Sequence, residues 1–391
     1  MSPVRGPHRK PTRSQQQAIA FAERLILQVC RASPDPTYLQ RLRTNLTRQG
    51  IRAAVAEHNT PALFDWLMEV VSYQGISDSI AWSYMEQHGR VTWAEIDAAF
   101  ARCPSCPKLA SFDDFWGCGY RKATHTCARP DHRPACSLPS HPLRKGALNQ
   151  AAYSLYLFLR DRCRGDLVAW IDERLLEADL RGAPNRPAQL RQALLDLLIA
   201  VQGVGPKVLS MALSDLLLGA DPKRERWVTT GASLIVVDTL VHNWMHRTGT
   251  LRRLRSKHAY GPACYRPGGC ATIIEAVASR IDARQFGASF PATFPRYLQK
   301  AIWQFCAESG RNVCNGNQID DSHPCANRTC CLSGRCRRVA LRPALNVMER
   351  PEAPQLRSPA AELSSRSSRG REHSSRKPEP DSSSGGPERR R

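Results

Sequence analysis

The stretch that most constrains the fold spans residues 197–217 and reads LIAVQGVGPKVLSMALSDLLL. Two apolar segments of helical periodicity are interrupted there by a Gly-Val-Gly turn at 203–205, followed by Pro206. Glycine lets the backbone adopt positive φ and approach a partner closely, and proline is favoured at the first position of a helix. The pattern predicts a helix-hairpin-helix whose second helix offers free amides to a phosphate. It also suits a tight αα-hairpin within a helical core.

The chain is strongly basic, with a net charge of +21 over 391 residues. Residues 341–391 carry 11 Lys and Arg against 7 Asp and Glu, a net of +4, so +17 remains on residues 1–340. A basic folded body favours a polyanionic partner, and nucleic acid is the commonest one.

The 15 cysteines bear on compartment and chemistry. The sequence shows neither an export signal nor an apolar run approaching the ~18 residues of a membrane helix. A disulfide framework is therefore not expected, and clustered reduced cysteines favour metal binding. We expect a monomeric protein without membrane association, inside the cell: cytoplasmic or at the nucleoid, or nuclear in a eukaryote.

The periodicity predicts an all-α fold of two helical subdomains around the hairpin. Residues 1–15 are basic and aperiodic, and residues 341–391 are rich in Ser, Arg and Pro, so we expect both termini to be disordered. The folded region is then 16–340. It contains a Cys/His-rich insertion at 103–145 and a second cysteine-rich segment at 306–336.

The hairpin and the downstream segment IVVDTLVHNWMHRTG together carry a family resemblance. They resemble the endonuclease III-like DNA glycosylases of the helix-hairpin-helix (HhH-GPD) superfamily. Lys207 and Asp238 stand at the positions of that family's G-V-G-x-K and V-D-T motifs. The resemblance covers about residues 60–102 and 145–336.

The resemblance implies excision of a damaged or mismatched base by cleavage of its N-glycosidic bond. Asp238 would stabilise the positive charge that develops on the sugar and activate the nucleophile. Lys207 would attack C1′ and form a Schiff base, which gives AP-lyase activity. Outside this role, Lys207 would be a phosphate contact and Asp238 a plain helix N-cap.

The predicted contacts with double-stranded DNA lie on the hairpin and on the segment SYQGISDS, which is similar to an early helix start of the family. Gln74 in that segment would fill the gap left by a flipped base, or it is a polar residue at a helix end. The predicted contact residues are Gly203, Val204, Gly205, Lys207 and Gln74.

Two groups of cysteines predict metal sites. The resemblance implies a [4Fe–4S] cluster after the last helices, although four thiolates also suit zinc. Its expected ligands are Cys314, Cys325, Cys331 and Cys336, with Cys306 or Cys330 as replacements for one of them. A second site, zinc or iron–sulfur, is expected from Cys103, Cys106, Cys118, Cys127 and Cys136, with His125 and His132 nearby. Free structural thiols are the alternative for both groups.

The chain departs from the family in ways that leave a second function open. The charged connection GADPKRERWVTTG, residues 219–231, lengthens the path from Lys207 to Asp238 and could shift the carboxylate away from the sugar. The final cysteines do not follow the family's C-x6-C-x2-C-x5-C spacing. The alternative is a non-catalytic helix-hairpin-helix DNA-binding protein with structural metal sites. A metal-dependent nuclease or a redox sensor is weaker, and the nuclease lacks a carboxylate cluster with metal-ligand spacing.

Overall fold

The computed structural model describes residues 12–74, 76, 78–102, 106–121, 124, 126–127 and 148–342. Within these ranges the regular secondary structure is helical, apart from two short antiparallel strands, β1 (Tyr120–Arg121) and β2 (Thr126–Cys127). The predicted all-α class is therefore confirmed. No helix in the described residues combines the length and apolarity needed to span a membrane.

The helices before the hairpin are α1 (Arg13–Ala32), α2 (Tyr38–Arg48), α3 (Ile51–Ala56), α4 (Thr60–Ser72), α5 (Asp78–His88), α6 (Trp93–Ala101), α7 (Phe112–Phe115), α8 (Asn149–Leu157) and α9 (Leu167–Glu177). From the hairpin onward they are α10 (Arg186–Leu198), α11 (Pro206–Gly219), α12 (Glu225–Ser233), α13 (Thr239–Arg247), α14 (Thr250–Arg253), α15 (Cys270–Ala278) and α16 (Pro295–Cys306). A π-helical turn (Phe158–Arg162) extends α8, and 3₁₀ turns occupy Pro107–Leu109, Pro262–Tyr265 and Ala283–Gln285.

The first helix begins earlier than its hydrophobic pattern indicates. Thr12 caps α1 in a capping box with Gln15, so the prediction of disorder is wrong for residues 12–15. Their polar side chains face solvent and carry no periodicity, which hid the first turn. The rest of the predicted disordered termini, residues 1–11 and 343–391, lies outside the described residues.

The buried apolar side chains form two clusters. The first is built largely from α3, α4 and α8–α11, with Phe64 and Tyr153 among its fully buried members. The second is built largely from α1, α13, α15 and α16 and includes Trp244. Helix α11 contributes Leu213 to the first cluster and Leu218 to the second, as expected for two helical subdomains around the hairpin.

The connection between the hairpin and Asp238 is a packed helix, α12, and not the charged loop that the sequence indicates. Trp227 is fully buried, and its indole N–H donates to Asp172 at 2.6 Å. Gly231 lets α12 lie directly on α11, because a Cβ there would come within 2.9 Å of Leu218. The Ser214 hydroxyl also donates to the Gly231 carbonyl at 3.0 Å. Tertiary packing therefore overrides the poor helix propensity of this glycine- and threonine-containing segment.

Candidate functional site

The hairpin turn uses its two glycines differently. Gly203 has φ of 82°, and a Cβ there would lie 3.0 Å from the backbone nitrogen of Ala151 on α8. This position needs glycine for both its conformation and its close approach to α8. Gly205 has φ of −79° and forms the N-cap of α11 without a side-chain cap. Only Gly203 therefore takes the positive φ that the sequence suggested for the pair.

Gln74, the predicted gap-filling residue, braces the hairpin in the free protein. Its side-chain amide donates to the Gly203 carbonyl at 3.0 Å, and its side-chain oxygen accepts from the Gly205 N–H at 2.8 Å. Val204 between these glycines is half-buried against the first hydrophobic cluster. The predicted DNA-contact residues are therefore gathered at one turn, with Gln74 joining them from the end of α4.

Asp238 lies at the start of α13 after a buried extended segment. Its carboxylate accepts the Val241 N–H at 2.9 Å, and the residue is 8% exposed. Burial raises the pKa of Asp238, while the Val241 hydrogen bond and the charge of Lys207 oppose that rise. Asp238 is thus an N-cap, and its carboxylate is close enough to Lys207 for the charge of that lysine to lower its pKa.

A cavity of about 440 Å³ brings the two candidate catalytic groups together. It opens where the two hydrophobic clusters meet, with Tyr73 of the first and Tyr38 of the second in its walls. Its charged lining consists of four cations and two carboxylates: Arg41, Lys207, Arg296, Lys300, Asp215 and Asp238. A cationic cavity of this kind suits an anionic substrate.

A larger cavity of about 820 Å³ lies elsewhere and contains neither candidate group. Its lining includes Trp116, Arg162 and Trp170, on the side of the first cluster. Volume alone therefore does not identify the functional site, since the chemistry-bearing residues line the smaller cavity.

Lys300 is a second amine in the same cavity, and the sequence motifs did not identify it. Burial lowers the pKa of Lys300, and the nearby charge of Arg296 lowers it further. The ammonium lies 5.1 Å from the centre of the Tyr38 ring. Because a lowered pKa favours the nucleophilic form of an amine, Lys300 is a second candidate nucleophile in this cavity. Its only sequence signal is its position on an amphipathic helix, which many solvent-facing lysines share.

The cysteines after α16 approach one another around the end of α13. Cys314 contacts Cys306, and the Arg247 guanidinium lies 3.3 Å from the Cys314 sulfur. Cys336 lies 3.7 Å from the Arg247 carbonyl and interacts electrostatically with Cys314 and Cys325. The segment thus surrounds Arg247 with thiols.

Cys330 and Cys331 differ in their fitness as the fourth ligand of the predicted cluster. Burial raises the pKa of Cys330 to about 11, and the nearby Cys331, Cys314 and Cys336 add to the rise. Cys331 is exposed, and its charged neighbour is Arg311. Cys330 packs against the second hydrophobic cluster together with Cys314 and Cys336, whereas the predicted Cys331 is exposed.

The insertion cysteines are only partly within the described residues. Cys106 and Cys118 are half-buried and pack against the first hydrophobic cluster. Cys127 lies on β2, of which only the backbone is described. The remaining members of the predicted second site lie outside the described residues: Cys103, Cys136, His125 and His132.

One group of potential metal ligands was not identified from the sequence. In the described part of the chain, a single group of His, Cys, Asp or Glu brings three or more ligand atoms within 4.8 Å of one another: His242, His258, Cys264 and Cys270. This group could bind a metal ion. Its spacing, H-x15-H-x5-C-x5-C, was the available signal, but the cysteines stand farther apart here than in the denser cysteine groups of the chain.

No family model matches the chain, and no curated protein or solved structure matches it significantly. The functional proposal therefore depends on the residues of the chain and their geometry.

Proposed function

We propose that the protein is a DNA glycosylase that excises a damaged or mismatched base from double-stranded DNA inside the cell, with AP-lyase activity. One observation carries the proposal: Lys207 at the start of the hairpin helix and Asp238 at the start of α13 line the same cationic cavity. Helix α12 folds back on the hairpin, so the longer connection between them does not separate the two groups.

The chemistry follows from the positions of these groups. As the bond between C1′ and the base nitrogen breaks, the base leaves with the electron pair and positive charge develops on the sugar. The Asp238 carboxylate would stabilise that charge and accept a proton from the attacking amine. The Lys207 amine would form the new bond to C1′. Breaking of the C1′–O4′ bond, with the electron pair leaving on O4′, would open the sugar and give the imine, which would permit β-elimination of the 3′ phosphate.

DNA would be held by its backbone. The start of α11 has no side-chain cap, so its amides and Lys207 offer a phosphate seat. Arg41, Arg296 and Lys300 add positive charge within the cavity. Contacts of this type orient a duplex without reading its sequence.

We further propose that the C-terminal cysteines hold a [4Fe–4S] cluster. Cys314, Cys325 and Cys336 are near one another, and Cys330 is a better-placed fourth ligand than Cys331. Each thiolate of a four-iron cluster binds a different iron, so these ligands need not converge on one point as they do around a single ion. Anaerobically purified protein should be brown, and a colourless, zinc-loaded protein would contradict this assignment.

Borohydride trapping on a duplex with an abasic site tests the lyase. Wild-type protein should form a covalent adduct that is lost in Lys207→Ala and kept in Lys300→Ala. Lys223→Ala, between α11 and α12, is the surface control. An adduct that persists in Lys207→Ala and disappears in Lys300→Ala would transfer the nucleophile's role to Lys300. Duplex binding without trapping or base release would favour the non-catalytic DNA-binding protein.

A further inference from the structure

The four ligand atoms of His242, His258, Cys264 and Cys270 all lie within 4.8 Å of one another. Nδ1 of His242 lies 3.5 Å from the sulfur atoms of both Cys264 and Cys270. Nε2 of His258 lies 3.5 Å from the Cys270 sulfur. A tetrahedral zinc ion with bonds of about 2.3 Å to sulfur and about 2.05 Å to nitrogen separates each sulfur from each nitrogen by about 3.6 Å.

Hydrogen bonding alone does not account for this convergence. The ring nitrogen of His242 carries at most one proton, yet it faces two sulfur atoms at equal distance. His258 Nδ1–H donates to the Ser256 carbonyl at 2.6 Å, because a carbonyl oxygen can only accept. In the neutral ring, Nε2 then presents its lone pair to the Cys270 sulfur. A second hydrogen bond of this kind orients most histidines that bind metals.

The loop between the two cysteines is built to bring them together. Cys264 lies in the short 3₁₀ turn Pro262–Tyr265, and Cys270 begins α15, with both residues fully buried. A Cβ on Gly269 would overlap the carbonyl oxygens of Ala263 and Cys264, so the chain closes here only with glycine. The imidazole of His242 is buried, and a buried polar ring nitrogen is costly unless it has a partner.

We propose that His242, His258, Cys264 and Cys270 form a structural zinc site. Two nitrogens and two thiolates complete a tetrahedron and leave no open position for a substrate, as in structural rather than catalytic zinc sites. The four ligand atoms are too close for a four-iron cluster, in which every thiolate binds its own iron. The site is separate from the C-terminal cysteines and does not depend on the proposed glycosylase activity.

The zinc would hold together the segments that lie next to Asp238. Its ligands come from α13, the 254–261 loop, the 3₁₀ turn and α15. Tyr265, next to Cys264, accepts a hydrogen bond from the Val237 N–H at 3.0 Å. The ligated turn thereby holds the residue directly before Asp238, and this consequence is the only part that rests on the proposed function.

Metal content of the full-length protein tests the site. Cys264→Ser and Cys270→Ser should each bind one zinc per chain fewer than wild type by inductively coupled plasma mass spectrometry. Cys30→Ser, at a buried thiol of α1, and His246→Asn, one turn from His242, should match wild type. Unchanged zinc content in both ligand variants, or an equal loss in the controls, would overturn the proposal.

X-ray absorption of wild-type protein keeps the test valid if the ligand variants fail to fold. The zinc shell should contain nitrogen at about 2.0–2.1 Å as well as sulfur at about 2.3 Å. A shell of sulfur alone would assign the zinc to the C-terminal cysteines and refute the His/Cys site. Protein purified in the presence of Zn²⁺ that holds no zinc would refute it as well.

Discussion

The two helices that present the candidate groups begin in opposite ways. Helix α11 starts at an N-cap glycine, Gly205, without a side-chain cap, and Lys207 in its first turn is half-buried. Helix α13 starts at Asp238, which caps its own helix and is almost completely buried. One start is open to an external anion, and the other is closed by its own carboxylate.

The two helix starts suit two different roles within one cavity, namely binding of a phosphate and stabilisation of positive charge. Free amides at a helix start need a partner, and a DNA phosphate can supply it where no side chain does. A carboxylate that accepts a hydrogen bond from its own helix keeps one orientation. A group that stabilises charge in a transition state must be held in place in this way. In the proposed glycosylase, the start of α11 would therefore mainly bind the DNA backbone, and the start of α13 would stabilise the developing charge.

The largest expected effect is that of Asp238→Asn on base release. Asparagine keeps the N-cap, so stability should change little, whereas the charge that stabilises the transition state is lost. We expect the single-turnover rate to fall about 10²–10³-fold, the range for removal of one electrostatic stabiliser. Quenched-flow base-release assays on a lesion duplex measure this rate.

Asp215→Asn is the matched control, because Asp215 lines the same cavity and interacts with Arg296 instead of capping a helix. An equal loss of rate in both variants would mean that the general charge of the cavity matters and Asp238 has no special role.

Next in size is the contrast between the two glycines of the hairpin. Gly203→Ala should lower the free energy of unfolding by about 2 kcal/mol, because alanine resists the positive φ and its Cβ would press on Ala151. Gly205→Ala should cost no more than about 0.5 kcal/mol, since its φ is ordinary and the nearest atom is 3.7 Å away. Urea denaturation compares the two, and equal losses would contradict the different uses of the two glycines.

Gln74→Ala should have a smaller effect on stability, about 1–2 kcal/mol, because it leaves the Gly205 N–H and the Gly203 carbonyl without their partner. Gln49→Ala at the exposed end of α2 is the control. Thermal or urea denaturation measures the loss. Unchanged stability combined with weakened distortion of a lesion duplex would favour the sequence-based role of Gln74 as a gap-filling residue.

The smallest expected effect is the pH dependence of Asp238. Its pKa is higher in the folded than in the unfolded chain, so the folded state binds the proton more tightly. This contribution to stability is present below the unfolded pKa, near 3.8, and is lost as pH rises through the folded pKa. The free energy of unfolding of wild type relative to Asp238→Asn should therefore decrease as pH rises across that interval, measured by urea denaturation. A pH-independent difference would argue against the desolvated carboxylate.

Local sequence patterns predicted the hairpin turn, since the Gly-Val-Gly-Pro segment separates α10 from α11 as expected. Such a turn depends on the conformations of adjacent residues, so the local residues suffice to predict it. Helix α12 was missed because its stability comes from Trp227 and Gly231 packing on other helices.

The candidate metal ligands also differ in how far local sequence patterns predict them. The density of cysteines after α16 is visible in the sequence, but the preference for Cys330 over Cys331 depends on which side chain turns inward. The His/Cys site joins a helix, a loop, a 3₁₀ turn and another helix start, and no single local pattern unites its four residues.

Periodicity, turn chemistry and capping are encoded by adjacent residues, so the amino-acid sequence was enough to predict the helical class, the hairpin turn, and Lys207 and Asp238 as candidates. The fold was needed to see that both residues share one cavity, that Lys300 lines it with them, and that two histidines lie close to two cysteines at α13. These are relations between distant segments, and they arise from the packing of apolar faces that leaves the polar groups gathered in the remaining space.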